Sequence, residues 1–197
     1  MLSIRYRIKR TRVWLLRFFH LKGNGVHSPF AFDFICQVVN NTSQYYAYSD
    51  LALQLKAMSL QQRKQAKLLF RLSNNIQPEE IILPEAYSMM EDFVRAGCRK
   101  ATVRVLSLAN ATHTDLSAPQ RRLIIAESPD DITDDIHTRL SPNSLIAVFD
   151  IRKSRSLRQQ WRDLTTKPCA TLTFDLYSLG LILYKPGFFK HHYIINF

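Results

Sequence analysis

Glycine is scarce in this sequence, with five glycines among 197 residues, at positions 23, 25, 97, 180 and 187. They form neither the G-x-G-x-x-G fingerprint of dinucleotide-binding proteins nor a Walker A loop, both of which need clustered glycines. Cysteine is equally sparse, and Cys36, Cys98 and Cys169 form no C-x-x-C pair. The sequence therefore has no zinc signature and no disulfide framework, and a reduced cytoplasmic compartment is expected.

Long apolar runs are also missing. No run approaches the ~20 residues that a membrane-spanning helix needs, so an integral membrane protein is not expected. The apolar stretch 13–19 is short, is interrupted by Arg17 and lacks a small-residue cleavage site, which argues against a signal peptide. With 197 residues, of which 46% are hydrophobic, the chain is long enough to form one domain with its own core.

The N-terminus lacks acidic residues. Seven cations precede Asp33, the first acid, so this stretch contributes +7 to a formal net charge of +11. We predict that this basic extension, residues 1–24, meets an anionic partner. An apolar face with Trp14, Phe18 and Phe19 favours an anionic membrane surface over nucleic acid, for which there is no reading motif. A solvated arm packed on the body is the alternative. The cations are Arg5, Arg7, Lys9, Arg10, Arg12, Arg17 and Lys22.

Residues 25–77 are predicted to form a helical segment. Ser28 followed by Pro29 indicates an N-cap and a first helical position. Asp50 is predicted to cap a short helix through residue 58, and Ser59 is predicted to open a longer helix that Pro78 ends. The outer face of this longer helix, expected to be solvated or to touch phosphate, is basic: Arg63, Lys64, Lys67 and Arg71.

Residues 78–197 are predicted to form an α/β domain. Short apolar runs indicate buried parallel strands at 81–83, 102–108, 123–126 and 145–149. The helices predicted between and after them are 85–96, with Gly97 as its C-terminal cap, 130–140 and 152–164. An antiparallel hairpin follows at 171–177 and 179–184, with a further strand at 193–197. This order predicts a doubly wound, mostly parallel sheet of about six strands whose ligand site lies at the strands' carboxyl ends.

Several stretches resemble a known enzyme family. They are GVHSPFAFDFI at 25–35, KLLFRLSNNIQP at 67–78, the strand and helix at 144–164, and the C-terminal hairpin and tail at 171–197. These stretches are similar to the class I S-adenosylmethionine-dependent methyltransferases, and within them to a bacterial group of small-molecule O-methyltransferases. The resemblance implies a Rossmann-like methyltransferase fold, S-adenosylmethionine as cofactor, and methyl transfer to a small acceptor.

The sequence departs from the family pattern where the cofactor is expected. The first strand should be followed by a turn containing glycines, but residues 83–92 read LPEAYSMMED, and the side chains of Pro84, Tyr87 and Met89 are expected to fill the space. Glu85, or else Glu91, remains as a cofactor-binding carboxylate, and Ser107 or Asn110 stands where the second strand should end in a ribose-binding acid. The stretch 111–119 is too short for a further strand and helix, so one edge strand unit is expected to be missing.

Two acids keep their expected positions. Glu127 follows the third predicted strand and Asp150 the fourth, and the resemblance implies catalytic roles for both. Capping, or pairing with Arg152, is the alternative role of Asp150. No metal site is predicted, because Phe149 and Arg152 replace the acid and histidine of cation-dependent members. Two functions stay open: a methyltransferase with a degenerate donor site, or a non-catalytic scaffold that docks to membranes through its basic N-terminus.

Overall fold

The structure, a computed structural model, describes residues 26–106, 108, 120–134, 136 and 140–197. Three predictions fall outside these residues. They are the basic extension with Arg5, Arg7, Lys9, Arg10, Arg12 and Arg17, the cofactor role of Ser107, and the edge unit lost at 111–119. The proposed division at residues 24 and 77 likewise stays a prediction.

One seven-stranded sheet organises the described residues, in the order β2-β1-β3-β4-β6-β5-β7. The strands β1 to β4 are parallel, β6 lies antiparallel between β4 and β5, and β7 runs parallel to β5. The doubly wound, mostly parallel α/β fold with a C-terminal hairpin is confirmed. The strands are Glu80–Leu83, Thr102–Val105, Arg122–Ala126, Leu145–Phe149, Leu172–Asp175, Leu179–Leu183 and His191–Ile194, numbered β1 to β7 in this order.

Local capping signals explain where two of the helices begin. The Ser28 hydroxyl accepts a hydrogen bond from the Ala31 amide, and Ser59 forms a reciprocal capping box with Gln62, so both predicted helix starts are confirmed. Asp50 is not an N-cap but the last residue of a short helix, so that prediction is wrong. The described α-helices are Pro29–Phe34, Tyr46–Asp50, Ala52–Ala57, Leu60–Ile76, Glu91–Gly97 and Arg155–Thr166, numbered α1 to α6, and a π-helical turn, Ile35–Val39, extends α1.

The segment after β1 differs from its prediction. Instead of one helix over 85–96, a 3₁₀-helix spans Glu85–Met90 and α5 follows from Glu91 to Gly97. Gly97 is the last helical residue rather than the cap, which is Cys98. Its lack of a side chain serves packing, because a Cβ there would clash with the Phe70 carbonyl oxygen of α4. The close approach of α5 to α4 thus decides the position of this glycine.

Hydrophobic side chains cover both faces of the sheet. Alternate residues of β1 point to opposite sides, so that Ile81 joins the core under α4 and α5 while Ile82 joins the core under α6. Trp161 of α6 is 2% exposed, and its ring lies so close to Gly180 that a Cβ there would clash. Helices on both faces leave the strand ends as the open parts of the sheet.

The structure describes only part of the crossover helix predicted at 130–140. Residues 130–140 begin with a 3₁₀ turn, Pro129–Asp131, in which the Asp131 carboxylate accepts from the Ser128 amide at 2.9 Å. Residues 135 and 137–139 lie outside the described part. None of the helices described here is long and apolar enough to cross a membrane.

Candidate functional site

The sheet reverses its winding direction beside β1. From β1 the chain passes to β2 on one side and then to β3 on the other. Open α/β sheets bind their ligands outside the carboxyl ends of the strands at such a switch point. The first candidate site is therefore the edge where β1, β2 and β3 end.

A cavity of about 620 Å³ lies at this edge. Its lining combines two carboxylates, Glu85 after β1 and Glu127 after β3, with the apolar residues Val105 and Leu106 at the end of β2. Both acids are exposed. Because pockets for small organic ligands measure roughly 300–1,000 Å³, the cavity is large enough for a nucleoside-sized molecule.

The side chains expected to fill this space point elsewhere. Pro84 is buried, the Tyr87 ring stacks on Phe149 with ring centroids 4.3 Å apart, and the Met89 sulfur lies 3.5 Å from the side-chain nitrogen of Gln62. None of the three belongs to the described lining of the cavity, to which the 3₁₀ turn of Glu85–Met90 contributes Glu85 and Ala86. The prediction that Pro84, Tyr87 and Met89 occupy the cradle is wrong.

Negative charge dominates this edge. Burial raises the pKa of Tyr87 above its ordinary value, and the charges of Asp150, Glu127 and Asp131 raise it further. The same field acts on Lys153, whose pKa is raised by its hydrogen bond to Asp150, by the Asp150 charge and, less, by Glu127. Since the described lining holds two acids and no lysine or arginine, the cavity favours a ligand that carries positive charge.

Asp150 lies apart from the two cavity acids. Its backbone is left-handed, with φ of 52°, and its carboxylate accepts from the Lys153 ammonium at 2.9 Å. Arg152 instead pairs with Asp175 of β5 at 2.5 Å. The predicted pairing of Asp150 with Arg152 is therefore wrong. The structure brings Glu85 and Glu127 to one cavity and engages Asp150 in a surface ion pair.

A buried acid at the opposite edge was missed by the sequence reasoning. Glu80, at the amino end of β1, is 7% exposed and accepts from Arg122 of β3 at 2.5 Å and from Arg104 of β2 at 3.2 Å. An acid within an apolar strand indicates a buried ion pair. The sequence does not identify the partners, because they come from two other strands. Within the described chain, no group of three histidine, cysteine or acidic residues could hold a metal ion.

Comparisons with known proteins bear on the fold. No family model and no curated protein matches the chain. Among solved structures, the SAH-bound methyltransferase PaMTH1 of Podospora anserina superposes with a TM-score of 0.51 at 12% identity, covering 80% of this chain and 97% of that one. The chain has a methyltransferase fold. Cofactor-bound Rv0187 from MTB gives a TM-score of 0.48 at 12% identity, covering 79% and 95% of the two chains.

The methyltransferase fold confirms the coarse part of the predicted resemblance, because PaMTH1 shares the architecture over nearly its whole length. The narrower assignment to small-molecule O-methyltransferases stays a prediction. The cavity between Glu85 and Glu127 occupies the position at which this kind of sheet binds ligands.

Proposed function

We propose that this protein binds S-adenosylmethionine in the carboxyl-edge cavity and transfers its methyl group to an oxygen of a small acceptor. The observation that carries the proposal is the cavity of about 620 Å³ at the switch point of a methyltransferase fold, lined by Glu85 and Glu127. The resemblance of residues 25–35, 144–164 and 171–197 to the bacterial O-methyltransferase group supports the oxygen acceptor.

The lining residues fit the chemistry of this donor. A carboxylate accepts hydrogen bonds from hydroxyl and ammonium groups, so Glu85 would hold the donor's polar groups. Val105 and Leu106 offer an apolar wall for a base, and a described lining with two acids and no lysine or arginine suits a molecule with a positive sulfonium. When bound, S-adenosylmethionine supplies an electrophilic methyl group.

The chain's own contribution to catalysis is positioning and proton transfer. Methyl transfer gains most from holding the acceptor oxygen in line with the methyl group. In this proposal the Glu127 carboxylate is the general base that accepts the proton of the acceptor hydroxyl. Glu127 lines the cavity and forms no ion pair with another described residue. Asp150, bound to Lys153, contributes negative charge to this edge. The predicted role of Ser107 at the ribose remains part of the proposal.

Isothermal titration calorimetry tests donor binding. We expect S-adenosylmethionine to bind more tightly than S-adenosylhomocysteine, because only the former carries the sulfonium charge. With ligand present at 100 times its dissociation constant, the free energy of unfolding should rise by roughly 2.7 kcal/mol. Replacing Glu85→Gln should weaken binding about tenfold, which corresponds to the loss of one charge-assisted hydrogen bond.

A matched control lies at the other end of the same strand. Glu79 is exposed and immediately precedes β1, so Glu79→Gln makes the same chemical change away from the cavity and should leave the dissociation constant unchanged. Glu127→Gln should retain donor binding within a few-fold but lower the rate of methyl transfer roughly 10²-fold or more, as expected for a lost general base. Absence of binding by both ligands would refute the proposal.

A non-catalytic scaffold is the second candidate, favoured by one feature. The turn Pro84 to Met90 carries side chains throughout, where the family resemblance implies glycines against the donor. In that case the function would lie in docking to an anionic membrane surface through Arg5, Arg7, Lys9, Arg10, Arg12 and Arg17. The expected result is salt-sensitive binding to anionic liposomes that is lost when residues 1–22 are deleted. Retention after deletion would contradict this second candidate.

A further inference from the structure

A second cavity, of about 410 Å³, has the opposite charge character. It shares no lining residue with the carboxyl-edge cavity. Three cations of α4, Lys64, Lys67 and Arg71, line it, and the described lining contains no carboxylate side chain. Residues three and four apart lie on one face of a helix, so α4 aims all three cations at the same space.

Arg71 is a built-in part of the cavity wall. Its side chain is buried, at 7% exposure, and its guanidinium donates to the carbonyl oxygens of Val38 at 2.5 Å and Val39 at 2.9 Å and to the Tyr48 hydroxyl at 3.4 Å. The Tyr48 hydroxyl in turn donates to the Lys67 carbonyl oxygen at 3.3 Å. This network ties the π-helical turn to α4, and none of the carboxylates that the structure describes forms an ion pair with the buried Arg71 charge.

The two lysines have no such structural engagement. The Lys67 ammonium lies 4.7 Å from the centre of the Tyr48 ring, and the Lys64 ammonium lies 5.9 Å from the centre of the Phe197 ring. Neither lysine forms an ion pair with any residue that the structure describes. Contacts with aromatic faces hold the ammonium groups near the cavity while keeping their N–H donors available.

Neutral donors complete the lining. The hydroxyls of Thr42 and Ser43 belong to it, as does the amide of Asn40. The Asn40 side-chain nitrogen is buried and has no hydrogen-bond partner among the described residues. A buried amide donor without an acceptor is costly.

We propose that this cavity binds a small organic phosphomonoester. The oxygens of a phosphate dianion accept from ammonium and hydroxyl groups at once, and its charge suits a lining that contains three cationic side chains. A volume of about 410 Å³ is in the range of pockets that hold organic ligands, so the phosphate brings an organic part with it. This inference stands independently of donor binding at the carboxyl edge.

The test is calorimetric titration of the full 197-residue chain with glycerol 3-phosphate and with inorganic phosphate. We expect saturable binding of both, tighter for glycerol 3-phosphate. The double variant Lys64→Gln/Lys67→Gln should weaken binding at least tenfold, because two charged donors are lost. The matched control Lys56→Gln/Lys100→Gln removes the same charge from two exposed lysines outside the cavity and should change the dissociation constant less than twofold.

The remaining outcomes separate a specific site from general charge attraction and from a lipid headgroup. Equal weakening in both double variants, or no saturable binding to the parent chain, would overturn the proposal. Phosphatidylcholine vesicles containing phosphatidic acid carry the same phosphomonoester on a lipid. If free glycerol 3-phosphate displaces the protein from these vesicles, the result supports a soluble ligand. If the protein binds the vesicles in a way that depends on Lys64 and Lys67 but does not bind glycerol 3-phosphate, the assignment to a soluble phosphomonoester would be overturned.

Discussion

The two ends of β1 place the same type of side chain in opposite surroundings. At the amino end, Glu80 is buried between Arg122 and Arg104. Just beyond the carboxyl end, Glu85 is exposed and lines a cavity together with Glu127. The strand sets the position of each acid, but the neighbouring strands decide whether it stabilises the fold or faces a ligand.

The energetic consequences of the two environments differ. Removing one partner of a buried ion pair leaves the other charge buried and uncompensated, whereas an exposed carboxylate keeps its hydration. The amino edge should therefore report on folding and the carboxyl edge on binding. Three mutational predictions test this contrast, from the largest expected effect to the smallest.

The largest effect is expected for Glu80→Gln. The change breaks the buried ion pair between Glu80 and the Arg122 guanidinium, which is 2% exposed, so the free energy of unfolding should fall by about 3–5 kcal/mol. Urea denaturation followed by circular dichroism measures this loss. Glu127→Gln at the other edge should change the same quantity by less than about 0.5 kcal/mol. Equal losses at the two edges would remove the contrast.

A smaller effect, confined to alkaline pH, is expected for Tyr87→Phe. Burial and the nearby acids raise the folded-state pKa of Tyr87 above the unfolded value, so the neutral hydroxyl stabilises the fold at pH values below the unfolded pKa. That contribution is lost as pH rises through the folded pKa. Unfolding free energies measured from pH 9 to 12 should therefore decline less steeply in the variant. An unchanged slope would show that the folded-state pKa of Tyr87 is not raised above the unfolded value.

The smallest effect is expected for Lys153→Gln. The Lys153 side chain is 71% exposed, and its partner Asp150 is 39% exposed, so breaking this pair should cost less than about 1 kcal/mol. Arg152→Gln provides the comparison, because its partner Asp175 is only 3% exposed and a buried carboxylate loses more. Thermal unfolding of both variants ranks the two pairs. A larger loss for Lys153→Gln would contradict the ranking by burial.

Features that depend on neighbours in sequence were predictable. Ser28 and Ser59 cap their helices because their hydroxyls reach an amide three residues along the chain. The apolar run at 145–149 forms a strand buried along its whole length, as the lack of polar alternation indicates. Asp50 does not cap the next helix, because it is itself the last residue of the helix Tyr46–Asp50.

Features that depend on distant partners were not predictable in the same way. Pairing with Arg152 was one alternative role for Asp150, but the Arg152 guanidinium pairs with Asp175 of β5, 23 residues along the chain, and Asp150 pairs with Lys153. The conformation of the turn after β1 could not be predicted from the sequence either. Its glycine-free sequence indicated a filled cradle, but Tyr87 stacks on Phe149 and is not part of the described cavity lining.

By itself, the order of apolar runs, caps and breaks determined that this chain alternates strands with helices and ends in a hairpin, because hydrophobic periodicity acts over a few residues at a time. Only the tertiary structure decided which acids meet. Strand order brings Glu80 to Arg122 and Glu85 to Glu127, and loop conformation brings Lys153 to Asp150. Charge interactions depend on distance and burial in space, and residues far apart in the chain set both.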